Sequence, residues 1–245
     1  MSAPEFFNTE SKFYATTSSS ATEKAATSIT IPAGARSAIV GIIIDEDEPD
    51  MAVSSFTFND GSNNLTPLVT TKGLGQRSSQ PVRFTTCNVY NLTGVATTSA
   101  SASAVHTSFS GDGSDTGNAQ FFVIFTDGHY KSHFGMGTYG DRYGFDMHSV
   151  SPSSTNETVL NIMTMDALQS TNLDSLSSGL EVVIEGGLLN SANISAVGAV
   201  GSKSQLNVLQ EHTATNNSGG NSYMSFQFFT FTSEPEGHLT GSIIR

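Results

Sequence analysis

The sequence has no tryptophan, one cysteine and seven prolines in 245 residues, and 10 basic side chains stand against 22 acidic ones. Each shortage excludes something. The single thiol, Cys87, forms no internal disulfide and builds no cysteine-rich zinc site. Sugar-cleaving grooves use aromatic platforms, of which tryptophan is the strongest, so its absence disfavours a carbohydrase. The lysines and arginines are scattered singly through a chain of net charge −12, which argues against nucleic acid and anionic membrane as partners. No apolar run approaches the roughly 20 residues that span a bilayer. The opening MSAPEFFNTESKFYATTSSS has neither a basic n-region nor an apolar h-region, so the expectation is synthesis in a cytoplasm without a signal peptide.

What is present is strand and turn. SAIVGIII (Ser37 to Ile44) is a short continuous apolar run, the pattern of a strand covered on both faces. SSFTFND and VRFTTCNVYNL alternate, the second placing Val82, Phe84, Thr86, Asn88 and Tyr90 on one side and Cys87 inside as an inert thiol. AQFFVIFT, TVLNIMTMDAL, LEVVIEG, ISAVGAVG, QLNVLQEH and SYMSFQFFTFT continue the series, separated by Gly, Asn, Asp and Pro. Helical spacing is scarce, and only Met165 to Gly179, with Leu168, Leu173 and Leu176, predicts a turn or two. The fold class expected is all-β, a β-sandwich or jelly roll, over residues 29–245.

Two stretches stand apart. Residues 1–28 are rich in Ser, Thr and Ala, and read as an N-terminal arm with Phe6, Phe7, Phe13 and Tyr14 as anchors on a neighbour. Thr126 to Glu157 reads as a long inserted loop without strand periodicity. Its rings, Tyr130, Phe134, Tyr139, Tyr143 and Phe145, make a candidate contact surface, since long loops on β scaffolds commonly carry function.

The motifs that could carry chemistry are weak. GMGTYG (Gly135 to Gly140) matches a dinucleotide fingerprint in letters, but no helix pattern follows it to receive a pyrophosphate. His129 and His133 are four apart, with His148 further on and Asp127 or Asp141 nearby. Glycines bracket the pair, so a shared helical face for zinc is disfavoured against exposed or stacking histidines. DEDEPD (Asp45 to Asp50) is a solvated turn ending a buried strand, because neighbouring carboxylates on an extended chain diverge. Alternate ones, Asp45 and Asp47, and Asp112 and Asp115 in GDGSDTG, are the calcium candidates. There is no G-x-S-x-G, H-E-x-x-H or P-loop, and the five N-x-S/T triplets read as chance in an Asn/Ser/Thr-rich chain.

The order SITIPAGARSAIVGIII, VSSFTFNDGSNNLTPLVTT, VRFTTCNVYNLTGVATTSASASAVHTSF and AQFFVIFTDG resembles a class of β-sandwich domains found in phage virion proteins. The likeness runs from about Ile29 to Gly128, and the DEDEPD turn and the long loop depart from it. It implies a non-enzymatic structural protein without a cofactor, located in the virion: a capsid decoration protein, or a head-fibre or tail component. Its partners would be copies of itself and other capsid or virion proteins. A receptor-binding or glycan-binding adhesin, directed at a host-surface glycan through the same aromatic loop, is the second reading. A hydrolase is a distant third.

Overall fold

A computed structural model describes residues 2–13, 17–18, 24–25, 29–46, 52–59, 65–72, 82–95, 99–107, 118–140, 156–167, 171–176, 180–184, 188–190, 193–203, 210–214 and 222–234. Among these residues all regular structure is β and all pairing is antiparallel, with no helix. The chain opens with four two-residue strands, β1 (Lys12–Phe13), β2 (Thr17–Ser18), β3 (Lys24–Ala25) and β4 (Ile29–Thr30). Then come β5 (Ser37–Glu46), β6 (Ala52–Asn59), β7 (Val69–Lys72), β8 (Val82–Asn91), β9 (Ser99–Thr107) and β10 (Asn118–Thr126). The second half holds β11 (His129–Gly140), β12 (Glu157–Ala167), β13 (Thr171–Leu176) and β14 (Leu180–Ile184). It ends with β15 (Leu188–Asn190), β16 (Asn193–Lys203), β17 (Gln210–Ala214) and β18 (Ser222–Thr232).

Two six-stranded sheets hold the core. The first runs β1-β10-β5-β8-β7, with β2 also on β10; the second runs β11-β18-β12-β16-β14, with β15 also on β16. A third sheet pairs β3, β4 and β6 with β9, and β13 pairs with β17. The apolar run of β5 is explained by its surroundings. Ala38 and Val40 pack with Tyr90, Val123 and Phe125 on one face, covered by Ile29, Ile31, Leu92, Phe7 and Leu65. Ile39 packs on the other face with Cys87, Val89, Phe122 and Ile124. That second cluster is shared with the second sheet through Leu160, Ile162, Val183, Ile184, Phe229 and Phe231. β5 and β10 are thus buried on both sides, as their apolar runs predict, and so is β8, whose sequence reads only as alternating. Each fully buried ring or branched side chain contributes about 1.5–3 kcal/mol.

Glycine sets the geometry at a few points. Gly41 stands opposite Phe122 in the β5–β10 register, and a Cβ there would overlap the Phe122 ring. Gly34 (φ 90) closes the turn in which the Ala35 amide donates to the Pro32 carbonyl, and Gly94 (φ 85) does the same beneath the Val95-to-Leu92 bond. Positive φ at the third position is the type II signature, which L side chains resist.

Two expectations are corrected. The stretch from Thr126 to Glu157 is not one loop, because its first half is the twelve-residue strand β11, paired with β18 along its whole length. Its alternation is concealed by glycines and by a bulge between Tyr130 and Ser132, which shifts the pattern by one residue. Residues 141–155 lie outside the described residues. The helical turn expected within Met165 to Gly179 is replaced by the end of β12 and by β13. Pairing with β16 and β17 overrides the leucine spacing there.

Candidate interaction surface

The two six-stranded sheets are joined at a corner. β10 ends at Thr126 in the first sheet and β11 starts at His129 in the second, so only Asp127 and Gly128 connect them. The Gly128 amide donates to Thr126 Oγ1 (3.1 Å), and the Gly128 carbonyl accepts from Ser37 Oγ (2.7 Å). Over this corner lies the N-terminal segment. The Glu5 amide donates to Asp127 Oδ1 (2.7 Å), and the Glu5 carbonyl accepts from Thr126 Oγ1 (2.8 Å) and from the Asp127 amide (3.2 Å). The Phe7 amide donates to the Phe125 carbonyl (3.0 Å), and the Phe125 amide to Ser11 Oγ (3.0 Å). The Pro4 carbonyl accepts from the buried Thr158 hydroxyl of the second sheet (2.7 Å).

Successive side chains on an extended chain point to opposite faces, and Phe6 and Phe7 follow that rule into different clusters. Phe7 packs on the Val40–Tyr90–Phe125 cluster. Phe6 joins the inter-sheet cluster, edge-on to Phe231 at 6.0 Å, and Tyr130 meets the same Phe231 ring at 6.4 Å. Three of the described aromatic side chains therefore converge, two of them from the contact residues expected from the sequence. In the single chain, Phe6, Phe7 and Tyr130 are engaged by their own chain. β1 and β2 continue the segment along the edge of β10.

Phe134 is placed differently. It lies on β11 with 56% of its surface exposed, its ring tilted against the buried Phe228 at 6.4 Å. Lys131, beside the bulge, is salt-bridged to the buried Glu157. Arg36 Nη1 lies 3.2 Å from His129 Nε2, and because guanidinium only donates, that ring nitrogen is the acceptor. Phe13 and Tyr139 are described as strand backbone, whereas Tyr14, Tyr143 and Phe145 lie outside the described residues.

The acidic candidates are not brought together. Asp45 belongs to β5, opposite Arg83 and Asn118 in register, so the strand extends two residues into the acidic stretch. Asp47, Asp112 and Asp115 lie outside the described residues, as do Asp141 and His148. Among the described residues no three His, Cys, Asp or Glu side chains gather as a metal site.

Sequence reasoning missed a polar seam in the inter-sheet core. Gln227 of β18 accepts from Thr71 Oγ1 of β7, and its amide nitrogen contacts Cys87 Sγ of β8 at 3.7 Å. Burial pushes the Cys87 thiol up to about 12, against opposing hydrogen bonds from Thr71 and Gln227. Burial also raises Tyr90 to about 12, offset in part by the Asn88 amide, which donates to its hydroxyl at 3.1 Å. The signal was visible in SYMSFQFFTFT, where Gln227 takes a place in the Phe229–Phe231 alternation. Comparison of the chain with protein-family models, with curated proteins and with solved structures finds no match in any of the three.

Proposed function

We propose that this chain is a non-enzymatic structural protein of a phage particle, a capsid decoration protein that assembles with copies of itself. We read its two six-stranded sheets as the halves of a β-sandwich of the virion type. The observation that carries this reading is the N-terminal segment, added as an edge strand to β10 and fixed by Phe6 and Phe7 on both faces of one sheet. A strand added along a sheet edge through main-chain hydrogen bonds and alternate side-chain pockets is a recurring way for chains to recognise one another. Supporting it, the described Cys87 and Tyr90 are each held by burial in the neutral form, which suits packing and not nucleophilic chemistry. Calcium at the acidic stretches remains part of the proposal only as a stabiliser of assembly.

Absolute mass by light scattering, with calcium and with chelator, tests it. A trimer or larger assembly is expected; a monomer at every concentration, with no uptake onto shells that lack it, would overturn it. The second reading, a receptor-binding or glycan-binding module, is favoured by one observation, the exposed Phe134 ring. Loss of ligand binding in Phe134→Ala at unchanged mass would select that reading.

A further inference from the structure

Gln227 crosses the core between the two sheets, held by Thr71 and Cys87 of the first sheet. His133 of β11 lies on the same side of the second sheet, in register with Phe229, and its ring packs on Phe229 with centroids 4.9 Å apart. Gln227 also hydrogen-bonds this imidazole. Nε2 of the ring is buried and has no hydrogen-bond partner among the described residues. A neutral ring can carry its proton on Nδ1 and leave only a lone pair at Nε2. A protonated ring adds an N–H at that buried atom with no acceptor among the described residues, and a charge on a half-buried ring packed on Phe229, both of which are costly.

We infer that the His133–Gln227–Thr71–Cys87 cluster is an acid-sensitive fastening between the sheets, released when His133 takes up a proton and the second sheet loosens from the first.

Among the described residues the surroundings offer the cation little. β18 presents Phe229 and Gln227, whose carboxamide oxygen already accepts from Thr71. Through Gln227 the ring adjoins Thr71 of β7 and Cys87 of β8, a thiol kept protonated by burial. On its own strand the nearest charged group is Lys131, a like charge already salt-bridged to Glu157 of β12. Burial lowers the proton affinity of His133 and the Gln227 bond offsets this in part, in agreement with the geometry.

The test uses the full chain. Urea midpoints and dye binding to exposed apolar surface are measured from pH 7.5 to pH 5 for the wild type, His133→Gln and the control His129→Gln. The wild type and the control are expected to lose midpoint and gain dye binding below about pH 6.5, the ordinary histidine value, while His133→Gln stays nearly flat. Retention of the wild-type dependence in His133→Gln overturns the inference. If that variant does not fold, the His133 ring is titrated by NMR in the wild type. Titration below the ordinary value, with simultaneous change at Phe229 and Gln227, supports the fastening, and titration at or above it overturns the inference.

Discussion

Pro4 fits against Gly128 because Gly128 has no side chain: a Cβ there would lie 2.6 Å from Pro4 Cβ and 2.8 Å from Phe231 Cβ. The N-terminal segment thus docks on a gap. Gly128→Ala must push aside either the segment or the Phe231 backbone region, and the expected destabilisation is about 1–3 kcal/mol, the usual range for overpacking. Chemical denaturation measures it. Hydrogen exchange at the Phe7 amide distinguishes the two outcomes, since that amide is bonded to Phe125 only while the segment is docked.

Phe231 joins Phe6 and Tyr130, so its truncation should be the most costly of the three. Phe231→Ala, at a fully buried site, is expected to lose about 3–5 kcal/mol. Phe6→Ala, at a half-buried site, should lose about 1–2 kcal/mol, its share of burial and edge-to-face contact. The double variant should fall short of the sum, which a double-mutant cycle reads directly.

The Lys131–Glu157 pair makes a prediction with a built-in control. The Glu157 side chain is only 6% exposed, whereas that of Lys131 is 44% exposed. Lys131→Met leaves the carboxylate without its salt-bridge partner and should cost about 1–3 kcal/mol. Adding Glu157→Gln should recover part of that loss by removing the buried charge.

At alkaline pH the two buried acids set the behaviour. Cys87 is raised from 9.0 to about 12 and Tyr90 from 10.0 to about 12 in the fold. The folded state holds both protons where the unfolded chain releases them, so the stability is fully present below pH 9 and is lost as pH rises from 9 to 12. Denaturation midpoints across that window check the sign. In the same way a thiol reagent at pH 8 should leave native Cys87 unmodified, and label it only as fast as the chain opens.

Much of the strand order was legible because it depends on local apolar pattern: Ser37 to Ile44, Val82 to Leu92 and Ser222 to Thr232 each read as strands and are strands, the second as far as Asn91. β11 was not legible. Its glycines at 135, 137 and 140 remove the side chains that would mark alternation, and it owes its conformation to β18, some ninety residues downstream. The corner at Gly128 was hidden for a related reason. A close approach between Pro4 and Gly128 depends on two positions far apart in the chain, and neither residue carries a mark of the other. The four-residue spacing of His129 and His133 read as exposed or stacking histidines in preference to a zinc pair. The strand places one beside Arg36 and the other on Phe229, because the intervening bulge turns them to different neighbours.

The docked N-terminal segment also orders events during synthesis. Glu5 is bonded to Thr126 across 121 positions and Pro4 to Thr158 across 154. A ribosome adding roughly 5–20 residues per second makes Pro4 and Glu5 wait on the order of ten seconds for their partners. During that interval Phe6 and Phe7 are on the nascent chain without Thr126 and Thr158, and a segment made before both sheets is secured only after them.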